Sequence, residues 1–195
     1  MKTVFLVIAT IITVSAVLPY LRDILKGTTK PNIVSWITWT LITGIATAAE
    51  IAGHEYVTAI FTGAAMIETA SVVAFGLRRG YAKYSRFDVV CQIGAIVGLI
   101  LWQLLNSPSI GVVACVAIDF IGVLPTIRHS WRKPDEETWS TFALSGVGGI
   151  FAILALSRYN VTSLTYAIYI VLINILVSVI ILGRRQALTL TIRQN

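Results

Sequence analysis

Long apolar runs separated by short polar or charged gaps dominate this sequence. A helix needs about 20 mostly apolar residues to cross the hydrocarbon of a bilayer, since each residue advances it by only about 1.5 Å. Seven segments qualify, at 3–20, 33–53, 55–77, 88–106, 108–126, 138–157 and 162–183. The gaps between them hold nearly all the charge. The pattern predicts an all-α integral membrane protein with seven transmembrane helices. The first run has the basic start and apolar stretch of a secretory leader. It continues to Tyr20 without an obvious small-residue cleavage site, so it is read as a retained helix.

Composition agrees. The 195 residues are 56% hydrophobic and 12% charged, whereas soluble domains carry roughly 25% charged residues. The net charge of +6 fits either nucleic acid or anionic lipid as a partner, and the placement of the cations decides between them. With helix ends alternating sides, the N-terminal side holds two basic residues, Lys2 and Arg158. The other side holds thirteen, in the loops at Arg22, Lys26 and Lys30, at Arg78, Arg79, Lys83 and Arg86, at Arg128, Arg132 and Lys133, and in the tail at Arg184, Arg185 and Arg193. Basic loops resist translocation. The N-terminus is therefore expected outside and the C-terminus in the cytoplasm, in a prokaryotic plasma membrane. Loop collars of this kind surround lipid and form no single nucleic-acid patch. Cys91 and Cys115 lie inside apolar runs and read as small buried hydrophobes. No metal or cofactor spacing is present.

The chain also repeats itself. Val17-Leu18-Pro19-Tyr20-Leu21-Arg22 matches Val123-Leu124-Pro125-Thr126-Ile127-Arg128 at an offset of 106. Lys30-Pro31-Asn32-Ile33-Val34-Ser35-Trp36-Ile37-Thr38-Trp39 matches Lys133-Pro134-Asp135-Glu136-Glu137-Thr138-Trp139-Ser140-Thr141-Phe142. Arg78-Arg79 matches Arg184-Arg185, again 106 apart. Residues 1–80 and 108–195 thus read as two three-helix repeats, and 81–107 as a linker carrying the fourth helix. A three-helix unit starts on one side and ends on the other. One extra helix is needed to return the chain, which makes the repeats parallel. Carriers with such repeats bind substrate between them near the midplane.

This 3+1+3 plan, with an outside N-terminus and a proline before a basic loop in helices 1 and 5, resembles the PQ-loop/SWEET superfamily of seven-helix transporters. Where that family has Pro-Gln, this chain has Pro19-Tyr20 and Pro125-Thr126. The resemblance implies a small solute carried by alternating access, and substrate-holding polar residues, often Asn, on helices 3 and 7.

Several residues qualify for that chemistry. Glu68 lies mid-helix 3 and Asn174 at the matching place in helix 7, each ten residues before its arginine pair. A carboxylate at that depth costs a few kcal/mol unless it faces the bundle or water. Asp119 lies mid-helix 5 and its repeat mate is Thr13. These four are the expected substrate-binding residues, against the alternative of interhelical hydrogen bonds that only hold the bundle. Glu50 and Glu55 read as solvated rim residues. Pro19 and Pro125 are candidate hinges, because an interior proline frees a carbonyl and kinks the axis. The alternative is that they merely end their helices. Trp36, Trp39, Trp139 and Phe142 read either as an interfacial aromatic belt or as a gate.

No enzyme is expected, for want of an activated nucleophile with its base. A rhodopsin needs a lysine in the last helix, and every lysine here is in a loop or at the terminus. A duplicated seven-helix ion channel and a non-transporting ligand-binding receptor remain as alternatives, and the plan leaves room for a homo-oligomer.

Overall fold

The computed structural model describes residues 1–52, 54, 56–81, 84–103, 108–156, 159 and 161–194. Glu55, Lys83 and Arg158 lie outside the described residues, as do the side chains of Glu50 and Arg193. Among the described residues the chain forms seven α-helices: α1 (Lys2–Lys26), α2 (Ile33–Ala52), α3 (Tyr56–Arg78), α4 (Arg86–Gln103), α5 (Pro108–Arg132), α6 (Trp139–Ala155) and α7 (Val161–Gln194). A single 3-10 turn, Pro134–Glu136, precedes α6.

The helices form because apolar surroundings leave backbone groups no partner but their own helix. Hydroxyls inside them follow the same rule. Thr10, Thr40, Thr43, Thr47, Thr69 and Ser71 each donate to the carbonyl four residues earlier. The termini carry explicit stop and start signals. Gly27, left-handed at φ 77°, closes α1 by donating to Asp23 and Ile24 carbonyls. Ser85 and Asp88 open α4 with reciprocal side-chain-to-backbone bonds of 2.7 and 3.2 Å.

Both prolines lie inside their helices. The expected spans stop at Tyr20 and Thr126, yet α1 continues through Pro19 to Lys26 and α5 through Pro125 to Arg132. A proline removes one N–H and crowds one carbonyl, and the turns beyond it still close. The reading in which these prolines end their helices is corrected. Likewise α7 runs to Gln194, well past the apolar stretch that ends at 183.

In the bundle, α3 packs against both α1 and α2, and α7 against both α5 and α6. Between these groups α1 meets α6 and α2 meets α5, while α4 lies on α5 and α2. Close approach needs small residues. A Cβ placed on Gly98 of α4 would fall 2.7 Å from Ile118 of α5, and one on Gly148 of α6 would fall 2.6 Å from Thr13 Oγ1 of α1. The main core joins Tyr20, Ile24, Trp36, Val72, Val123, Phe142, Val177 and Ile181 from six helices. A smaller one, Ile42, Ala95, Leu99 and Ile118, seats α4.

The outer surface is apolar. Leu18, Val90, Ile100, Leu172 and Val179 are all more than half exposed, an arrangement unfavourable in water at roughly 1.5–3 kcal/mol per side chain. The segments Lys2–Lys26, Val113–Arg132 and Leu164–Thr191 are long and apolar enough to cross a bilayer, and Ile33–Ala48 and Trp139–Ala155 are shorter apolar helices. This is the build of a helical membrane protein.

Candidate functional site

Six of the seven helices, all but α4, surround a central cavity of about 190 Å³. Thr13 comes from α1, Trp36, Trp39 and Thr43 from α2, and Glu68 from α3. Asp119 comes from α5, Thr141, Phe142 and Ser145 from α6, and Tyr166 and Asn174 from α7. All four expected binding residues, Glu68, Asn174, Asp119 and Thr13, therefore line one space. So do three of the four expected gate aromatics. Trp139 is the exception: it is 39% exposed and does not line the cavity. Pro19 is also absent from the cavity wall, and Pro125 lines a separate pocket at the basic end of the bundle.

The polar groups are held differently. Asp119 is buried and accepts a 2.6 Å hydrogen bond from the Tyr169 hydroxyl. Asn174 Nδ2 donates to the Ile170 carbonyl one turn back at 2.9 Å, which orients the amide and leaves its oxygen available. Glu68 is half-buried. Among the described residues no side chain donates to its carboxyl. Acidic, amide and hydroxyl groups face aromatic walls across the cavity. Such a lining suits a small polar solute with donors to offer, since acceptors predominate.

The basic end of the cavity is closed by a packed aromatic layer. Tyr20 packs tilted against Trp36 at 4.7 Å and meets Phe142 edge-on at 6.2 Å, while Trp36 meets Trp39 edge-on at 5.0 Å. Trp36 Nε1 donates to the Tyr20 hydroxyl at 3.2 Å, and that hydroxyl donates to Glu137 Oε2 at 2.7 Å. Glu137 is fully buried, and its Oε1 has no hydrogen-bond partner. Burial raises its carboxyl to about 8, against the lowering effect of the Tyr20 bond.

Below this layer lie polar ties between the α1–α2 loop and the segment before α6. Lys30 donates to Glu136 through its backbone at 2.8 Å and its ammonium at 2.6 Å. The Thr29 and Thr138 hydroxyls meet at 2.6 Å, and Thr138 donates to Asp23 at 3.0 Å. His129 and Lys133 approach Glu136 at 3.5 and 3.4 Å. These ion pairs hold the Glu136 carboxyl below its usual value despite partial burial.

Sequence reasoning overlooked Tyr20 and Glu137 as members of this end. One signal was present: in the matched segments Glu137 stands opposite Val34. A carboxylate replacing an aliphatic residue next to a helix start marks an asymmetric role.

No family model, curated protein or solved structure matches this chain.

Proposed function

We propose that this chain is a membrane transporter that moves a small polar solute by alternating access between two three-helix bundles, α1–α3 and α5–α7, with α4 as the linker that keeps them parallel. The packing pattern supports the repeat. Exchanging α1 with α5, α2 with α6 and α3 with α7 turns every contact among these six helices into another contact of the set. One arginine of each pair, though not the matched one, makes a comparable contact. Arg79 donates to the Leu25 carbonyl and Arg184 to the Trp131 carbonyl, acceptors that are 106 residues apart. Both features are in keeping with the PQ-loop/SWEET plan.

The observation that carries the functional reading is the convergence of Glu68, Asp119 and Asn174, from three helices, on one cavity closed at its basic end. In this reading the basic end is cytoplasmic, the N-terminus is outside, and the structure is closed to the cytoplasm. Tyr20, Trp36 and Phe142 form the inner gate, and Pro19 and Pro125 let the lower turns of α1 and α5 swing. The cavity is smaller than the roughly 300–1,000 Å³ of drug-sized pockets, so the solute is of amino-acid, monosaccharide or small-amine size. The two carboxyls favour a cationic solute or coupling to protons.

Uptake into proteoliposomes tests this. Saturable uptake is expected, abolished in Glu68→Gln and in Asn174→Ala with helix content retained. Non-saturating ion conductance that survives both substitutions would instead identify a channel, and specific binding without flux would identify a receptor.

A further inference from the structure

A second pocket, of about 310 Å³, opens at the basic end, away from the central cavity. Asn32, Tyr84, Ser85, Asp88, Arg128, Arg132 and Lys133 are among its walls. Next to it an apolar groove runs along α4 and α5, lined by Phe87, Leu124, Ile127 and Trp131. Arg128 and Arg132 border both spaces. A basic pocket thus continues into an apolar groove on the outer face of a membrane protein.

Arg128 is preorganised. Its guanidinium donates to Ser85 Oγ at 2.7 Å and lies 4.9 Å over the Phe87 ring. Trp131 is fixed similarly, with the Arg184 guanidinium 4.7 Å over its ring, yet it stays 53% exposed. Two carboxyls lie close, Asp88 in the pocket wall and Glu136 against Lys133. Both Asp88 oxygens accept hydrogen bonds, from the Ser85 backbone at 2.7 Å and from Asn32 at 3.4 Å. Glu136 is held by Lys30, His129 and Lys133. Among the described residues neither Arg128 nor Arg132 forms an ion pair. Arg128 and Arg132 together outweigh the one carboxylate in the pocket wall, Asp88, and with the hydroxyls of Tyr84 and Ser85 and the adjoining apolar groove they match one molecule in charge and shape.

We propose that this paired pocket and groove is a specific site for an anionic phospholipid, its phosphate held by Arg128 and Arg132 and one acyl chain lying along Phe87, Leu124, Ile127 and Trp131. Basic pockets between helices at the cytoplasmic surface bind such headgroups. The groove argues for lipid over a free phosphate, because a soluble anion leaves it unused. The proposal does not depend on transport.

Native mass spectrometry of the detergent-purified chain, titrated with long-chain phosphatidylglycerol, tests it. The expected affinity is about tenfold or more above that for phosphatidylcholine of the same chains, as two neutralised charges imply. Arg128→Gln with Arg132→Gln abolishes the preference. Arg22→Gln with Lys26→Gln removes equal charge from the same end and keeps it. Dihexanoyl phosphatidylglycerol and inorganic phosphate compete at least about tenfold more weakly than the long-chain lipid, for lack of buried methylenes. The headgroup and chain-length comparisons use the unaltered chain, so they decide even if the double variant misfolds. Equal affinity for the two headgroups, equal loss in both double variants, or equal competition by inorganic phosphate or the short-chain lipid would overturn the proposal.

Discussion

The Tyr20 hydroxyl donates a 2.7 Å hydrogen bond to Glu137 across 117 residues of sequence. It joins the position after the α1 proline to the segment that starts α6, and it lies beneath the aromatic layer that closes the central cavity. This buried bond therefore ties α1 to the segment before α6.

Because burial raises the Glu137 carboxyl to about 8, the protein favours its protonated form. The unfolded chain ionises near 4.5. Stability from this group is full below the unfolded value and is lost as pH rises through the folded one. The thermal midpoint in detergent is expected to fall between about pH 5 and pH 8. Glu137→Gln should flatten that decline, and an unchanged slope would contradict the assignment. Tyr20→Phe removes the donor and should cost about 1–3 kcal/mol.

Thr13 and Gly148 are coupled by contact. Gly148→Ala puts a Cβ only 2.6 Å from Thr13 Oγ1, so a loss of about 1–3 kcal/mol is expected from overpacking. Thr13→Ala removes the obstacle, and the double variant should recover most of the loss. Chemical denaturation of the four proteins in the cycle measures the coupling.

Asp119 and Tyr169 form a buried pair. Tyr169→Phe should cost about 1–3 kcal/mol by leaving the acceptor short of a donor. Asp119→Asn should lower solute affinity in uptake assays. If Asp119 only holds the bundle, the Asn variant will lose stability while its uptake KM stays at the wild-type value.

Backbones at Lys30 and Glu136 are bonded at 2.8 Å, and engineered cysteines at these adjoining positions are expected to form a disulfide. In a background with Cys91 and Cys115 replaced by alanine, oxidising Lys30→Cys/Glu136→Cys should stop uptake, and reductant should restore it. Full uptake with the disulfide formed would show that this end does not open.

The helices were legible because their causes are local. Each backbone bond closes within four residues, so an apolar run of sufficient length specifies a helix wherever it packs. Helix ends were less legible. Pro19 and Pro125 read equally as hinges or as terminators, since one missing N–H has no visible consequence in sequence, and only the surrounding turns show the helix continuing. Glu68, Asp119 and Asn174 could be singled out because polar groups inside apolar runs are costly. Glu136 and Glu137 escaped notice because carboxylates in a loop normally meet water.

Seven helices, an apolar exterior and one end rich in cations all follow from the pattern along the chain. Helix packing, in contrast, sets which polar residues share a cavity, keeps Trp139 outside it and buries Glu137 against Tyr20. The physical reason is range. Burial of a side chain depends on which helix lies across from it, and α1 meets α6 through close approach at Gly148 and Thr13, a contact that no local pattern encodes.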